Sequence, residues 1–159
     1  MSDTAETSPH EETFRKIAEE CEKKFHKPKR VPEGVMKYKD KLGYCRFQKT
    51  AIHYELQHYA SANMIGIEVH IEKESYDGKN DYEIKKEKVE LLQKYLKYLA
   101  DIKIFGKHIM YDPCWYDCGR IYLLCDYSMD KEKILCYINE FIYQTRERMN
   151  IIVPGWDEE

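Results

Sequence analysis

The stretch IHYELQHYASANMIGIEVHIEK, Ile52–Lys73, alternates apolar and polar residues along two arms. On the second arm Ile65, Ile67, Val69 and Ile71 share one face, and Glu68, His70 and Glu72 share the other. On the first arm Ile52, Tyr54 and Leu56 oppose His53, Glu55 and Gln57. Period-two alternation is the pattern of a strand buried on one side, so the segment reads as a β-hairpin. Its register decides which polar side chains meet. If Tyr59 pairs with Met64, Glu55 faces Glu68 and His53 faces His70. A shift of two residues instead sets Glu55 against His70 and His53 against Glu72. Like charges directly opposite destabilise a sheet, so the second register is the one expected, with Glu–His pairs on a wet face.

Helices flank this hairpin in the sequence. Ser8-Pro9-His10-Glu11 carries a capping residue, a first-turn proline and a capping-box glutamate. Phe14, Ile17, Ala18, Cys21 and Phe25 then recur at helical spacing until Pro28 and Pro32 intervene. After the polar loop Ser75–Asp81, residues Glu83–Ile102 read as a helix with Val89, Leu92, Leu96 and Leu99 in a stripe and Tyr95 beside it. Ile104–Asp112 reads as strand or loop, Pro113–Gly119 as a turn-rich connection and Arg120–Tyr127 as a strand. Asp130 is placed to cap a last helix whose buried face is Ile134, Ile138, Phe141, Ile142 and Met149. Pro154-Gly155 ends it.

The element order is therefore α-β-β-α-β-β-α, with a further short strand over 43–47. Cys45 and Phe47 are out of phase with Ile52, Tyr54 and Leu56, which implies a turn or bulge near Gln48–Thr50. We expect an α+β two-layer sandwich: a mainly antiparallel sheet, helices over its oily face, and the other face largely exposed. One domain is expected over 8–153, after a disordered 1–7 and before an acidic tail at 154–159. The strand–strand–helix pattern occurs twice in loose form.

At 159 residues the chain is long enough for a real core, and its formal charge of −3 creates no field demanding nucleic acid or an anionic membrane. There is no long apolar run, and the start MSDTAETSPHEE is acidic without an apolar centre. A cytoplasmic location is the expectation, and the six cysteines are then expected as thiols.

The strand His53-Tyr54-Glu55-Leu56, the strand Ile65–Ile71, the helix Val89–Ile102, the run Arg120-Ile121-Tyr122-Leu123 leading to Asp130, and the terminal helix with Phe141 form a shared pattern. From Tyr54 to Val153 the chain resembles a bacterial domain family of unknown function. That family occurs alone and as a C-terminal module of restriction-endonuclease-like proteins. The resemblance implies the fold and a link to genomic defence. It carries over no catalytic residues.

Several groups of residues bear on chemistry. His53, Glu55, His70 and Glu72 lie on one hairpin face, and imidazole with carboxylate is a common metal-ligand mix. They define the alternative of a metal-dependent hydrolase or nuclease, against an ordinary wet sheet face. His108, Cys114, Cys118 and Cys125 include a loose Cys-x3-Cys spacing but no second tight pair for zinc. Cys45 and Cys118 lack a local histidine for nucleophilic catalysis, and no Gly-x-Ser-x-Gly elbow is present. With 7 Gly and no Gly-rich loop, nucleotide-binding motifs are absent and no cofactor is expected. The basic stretch Lys23–Lys49 supplies Lys27, Lys29, Arg30, Lys37, Lys39 and Arg46 for a nucleic-acid accessory role, against a solvated linker. Tyr111, Trp115 and Tyr116 are aromatic anchors for a protein partner, against caps on the core edge. The function expected is a non-catalytic interaction domain associated with bacterial or phage defence, with a protein partner of unknown identity, no membrane, and nucleic acid as a secondary partner.

Overall fold

The structure is a computed structural model. It describes residues 10–25, 44–46, 51–73, 75–115 and 118–156. The capping residues Ser8 and Pro9, most of the basic stretch, the phase change near 48–50, and Tyr116 lie outside them.

Helix α1 (Glu11–Phe25) is followed by β1 (Tyr44–Arg46), β2 (His53–Tyr59) and β3 (Met64–Ile71). Helix α2 (Asp81–Leu99) comes next, then a small ribbon of β4 (Lys103–Ile104) and β5 (Lys107–His108). The chain continues as β6 (Met110–Trp115), β7 (Cys118–Asp126) and helix α3 (Lys131–Ile152). The main sheet runs β1-β2-β3-β7-β6, and every pairing in it is antiparallel. The α+β architecture read from the sequence is the one observed. The two strand–strand–helix halves meet through their inner strands, β3 and β7.

The odd residues of β3 form the oily face. Ile65, Ile67, Val69 and Ile71 are buried, and so are Ile121, Leu123 and Cys125 opposite them on β7. Phe14, Ile17, Ala18 and Cys21 of α1, Leu92, Tyr95 and Leu99 of α2, and Ile134, Ile138, Phe141, Ile142 and Met149 of α3 close the same core. Burying each large aliphatic contributes roughly 1.5–3 kcal/mol, so this single face accounts for most of the driving force. Tyr54 and Leu56 belong to it from β2. The Tyr54 hydroxyl reaches Thr145 Oγ1 at 2.5 Å, which explains a buried threonine in the middle of α3.

Several expectations are corrected. Helix α2 starts earlier than its apolar stripe suggested, because Asn80 Oδ1 accepts from the Glu83 amide at 2.9 Å and caps it at Asp81. Asp130 occupies the cap position of α3, yet its side chain makes no capping hydrogen bond. The connection read over 113–119 is largely strand: β6 runs through Pro113 to Trp115. Proline is tolerated there because β6 is an edge strand and the ladder is irregular between Asp112 and Trp115. Trp156, read as part of a tail, is 6% exposed. Its indole Nε1 donates to Ile52 O at 3.0 Å and its ring lies 5.3 Å from that of Tyr54.

The second face of the sheet departs most from expectation. It is polar, as the alternation required, but it is not exposed. Glu68 is 0%, His53 2%, His70 6%, Arg120 6% and Glu55 8% exposed. Buried charges must be paired and hydrogen-bonded, so this face calls for an account of each group.

Candidate functional site

The hairpin adopts the register that charge repulsion argued against. Tyr59 pairs with Met64, Glu55 with Glu68 and His53 with His70. A two-residue slip would leave every side chain on its face, so the oily pattern cannot choose between the registers. The connection chooses. Ala60–Ala62 form a single 3₁₀ turn, and Asn63 follows in the left-handed region at φ 55°, with its amide bonded to Ala60 O at 3.2 Å. Asparagine tolerates that conformation better than most residues.

The opposed carboxylates are then served along and across the strands. Glu55 Oε2 lies 2.6 Å from His53 Nε2 and 3.3 Å from His70 Nδ1. Its other oxygen accepts from Gln57 Nε2 at 2.7 Å. Glu68 Oε1 lies 2.7 Å from His70 Nε2. Glu68 Oε2 accepts from the Tyr59 hydroxyl at 2.5 Å and from Arg120 Nη1 at 2.6 Å. Arg120 comes from β7, directly opposite His70, and its guanidinium carbon sits 3.7 Å from the ring centre of its neighbour Tyr122. Burial first, and then the adjacent Glu68 carboxylate, hold the Tyr59 phenol far above its ordinary value, so Tyr59 stays protonated and donates. The result is a continuous polar chain, His53–Glu55–His70–Glu68–Arg120, with Tyr59 and Gln57 fixing its carboxylates.

Three of the four residues read as metal ligands come together. One ligand atom each from His53, Glu55 and His70 falls within 4.8 Å of the others, the converging group of this kind among the described residues. Glu72 lies beyond the end of β3 and is not part of it. Alternation along the hairpin places Glu68 on this face without making it a ligand, and it gives no sign that Tyr59 and Arg120 join it. A faint signal for Arg120 existed: in RIYLLCDY it shares a phase with Tyr122, opposite Ile121, Leu123 and Cys125. Linking it to Glu68 required knowing that β7 lies beside β3.

Of the other groups, the structure describes some members. Cys125 is buried in the core, where burial pushes its thiol up to about 11, and His108 is exposed on β5. The backbones of Cys114 and Cys118 lie on β6 and β7. Tyr111 is 58% exposed at the start of β6, and Trp115 pairs with Cys118 at its end. Of the basic residues, Arg46 lies on β1 opposite Glu55. Lys27, Lys29, Arg30, Lys37 and Lys39 lie outside the described residues. No helix among the described residues is long and apolar enough to cross a membrane.

No protein-family model, no curated protein and no solved structure matches the chain.

Proposed function

We propose that this chain is a non-catalytic interaction domain that holds a protein partner at the corner formed by the β4–β5 ribbon and the start of β6. The reading rests above all on Phe105. Ile104 pairs with Lys107, leaving Phe105-Gly106 as a two-residue hairpin loop with φ values of 49° and 83°. Both positions of such a turn favour Gly, Asn or Asp, and a bulky residue in the left-handed region costs about 1–2 kcal/mol. Phe105 carries that cost while remaining 61% exposed, touching the Tyr137 ring edge-on at 5.1 Å. Strain and apolar exposure at one residue point to a use outside the folding of the chain. Met110 and Tyr111, 47% and 58% exposed, follow the ribbon at the start of β6.

The burial of His53, Glu55 and His70 weighs against an open hydrolytic site on the hairpin. From the resemblance to a bacterial domain family, we take the partner to belong to a genomic defence system. The test is affinity capture from the cells that encode the chain, comparing the natural protein with Phe105→Asn and Phe105→Asn/Tyr111→Ser. Asparagine suits the turn, so both variants keep or raise the melting temperature and lose the specifically retained protein. Equal retention by all three proteins would overturn the reading.

A further inference from the structure

We infer that His53, Glu55 and His70 form a buried three-ligand zinc site on the polar face of the sheet, independent of any partner at the Phe105 corner. His70 carries the inference. Its Nε2 lies 2.7 Å from Glu68 Oε1, and the second oxygen of that carboxylate is taken by Tyr59 and Arg120. Glu68 has no donor of its own, so the hydrogen on Nε2 belongs to His70. That leaves His70 Nδ1 directed at Glu55 Oε2, 3.3 Å away. A neutral imidazole held this way turns a lone pair toward a carboxylate oxygen, which makes the two atoms a pair of metal-ligand donors. Either a second hydrogen on His70 or a cation can lie between them.

Three features favour the cation. First, the donors converge as ligands do: Glu55 Oε2 is shared, with His70 Nδ1 on one side and His53 Nε2 at 2.6 Å on the other. Zinc bonds of about 2.0–2.2 Å in tetrahedral geometry set neighbouring donors a little over 3 Å apart. The His70–Glu55 separation already meets that value. The His53–Glu55 separation is that of a hydrogen bond and opens by roughly 0.7–1 Å when zinc replaces the hydrogen between them. Second, the outer atoms of the ligands are braced. Histidine ligands characteristically give their other ring N–H to a carboxylate, which fixes tautomer and ring plane. Glu68 does this for His70, and Gln57 Nε2 holds the non-ligating oxygen of Glu55 at 2.7 Å. Third, two imidazoles and one carboxylate are a borderline donor set suited to zinc, with water as the fourth ligand. With all three ligands under 9% exposed, the metal would clamp β2 to β3.

The experiment uses the full chain, purified without chelator from zinc-supplemented culture. Elemental analysis is expected to give close to one zinc per chain. Cobalt loaded into the stripped protein should show visible d–d bands without the near-ultraviolet thiolate band, which separates this site from one built on Cys114 or Cys118. His53→Gln and Glu55→Gln should each weaken zinc binding at least tenfold. Glu68→Gln, a positioning change, should weaken it about 10–100-fold while the melting temperature of the stripped protein moves less than that of the loaded one. If His53→Gln fails to fold, the elemental and cobalt measurements on the natural chain decide alone. Absence of bound zinc and cobalt at micromolar concentrations, or a thiolate band, would overturn the inference and leave His70 as a doubly protonated member of a purely structural network.

Discussion

Glu55 and Glu68 face each other directly across the β2–β3 hairpin, each held by a different set of donors. Glu55 is served by Gln57 and His53, and Glu68 by His70, Tyr59 and Arg120. His70 also lies 3.3 Å from Glu55 through its Nδ1 and so ties the two carboxylates into one unit. A pairing that two strands alone would disfavour becomes acceptable because the third strand, β7, delivers a guanidinium to it.

Removing that guanidinium should therefore be severe. Arg120→Met leaves Glu68 buried without its cation, and such a broken pair costs about 3–5 kcal/mol. The double variant Glu68→Met/Arg120→Met should recover a large part of the loss, since an apolar pair leaves no stranded charge. Urea unfolding of the single and double variants measures the difference, and a double variant no better than Arg120→Met would count against this account.

Gly66 sits on the same face, pairing with Gln57 on one side and Leu124 on the other. A Cβ there would come within 3.1 Å of Leu124 Cδ2 and of Tyr59 Cε2, and within 3.2 Å of Glu68 Oε2. Gly66→Ala should push the Tyr59 ring off Glu68 and cost about 1–3 kcal/mol, as overpacked sites do. Chemical denaturation gives the loss, and the near-ultraviolet spectrum reports the displaced tyrosine.

Trp156 closes the core from beyond α3, packing on Tyr54 and bonding Ile52 O. Trp156→Ala should lower stability by about 3–5 kcal/mol, the usual range for deleting a buried aromatic. A thermal melt within a degree of the natural protein would show instead that the residue is dispensable.

His58 gives the stability a pH dependence. Burial holds its imidazole below the ordinary value of 6.5; Glu11 works in the opposite direction and His10 adds to the lowering. Its Nδ1 meets the Tyr127 hydroxyl at 2.7 Å, and the His10 ring stacks on Tyr127 at 4.6 Å. Below 6.5 the unfolded chain takes up a proton that the folded chain resists. This contribution is therefore complete above that value and is lost as pH falls below it toward the lower folded-state value. Unfolding midpoints measured from pH 7.5 downward should fall more steeply for the natural protein than for His58→Gln. Parallel curves would refute the assignment.

The elements were legible in the sequence where one side of each is buried. Ile65 to Ile71, Phe14 to Cys21 and Ile134 to Met149 follow the periods of strand and helix because the residues facing a core must be apolar and the intervening ones need not be. The same logic placed His53, Glu55, Glu68 and His70 together on the opposite face. It could not say what happens on that face. Local pattern assigns each side chain to a face; it does not measure distance across strands or access to water.

Tertiary structure settled the rest. The turn at Ala60–Asn63 set the register that opposes Glu55 to Glu68, and the adjacency of β3 and β7 delivered Arg120, from far along the chain, to Glu68. Burial then turned a face that alternation alone would leave wet into a closed network in which every carboxylate oxygen has a donor. By itself the sequence determined which residues are apolar, at what period, and hence the α+β sandwich. Which polar residues meet is a long-range property, set by strand order and turn geometry, because hydrogen bonds and ion pairs form only between groups that the whole fold brings within about 3 Å.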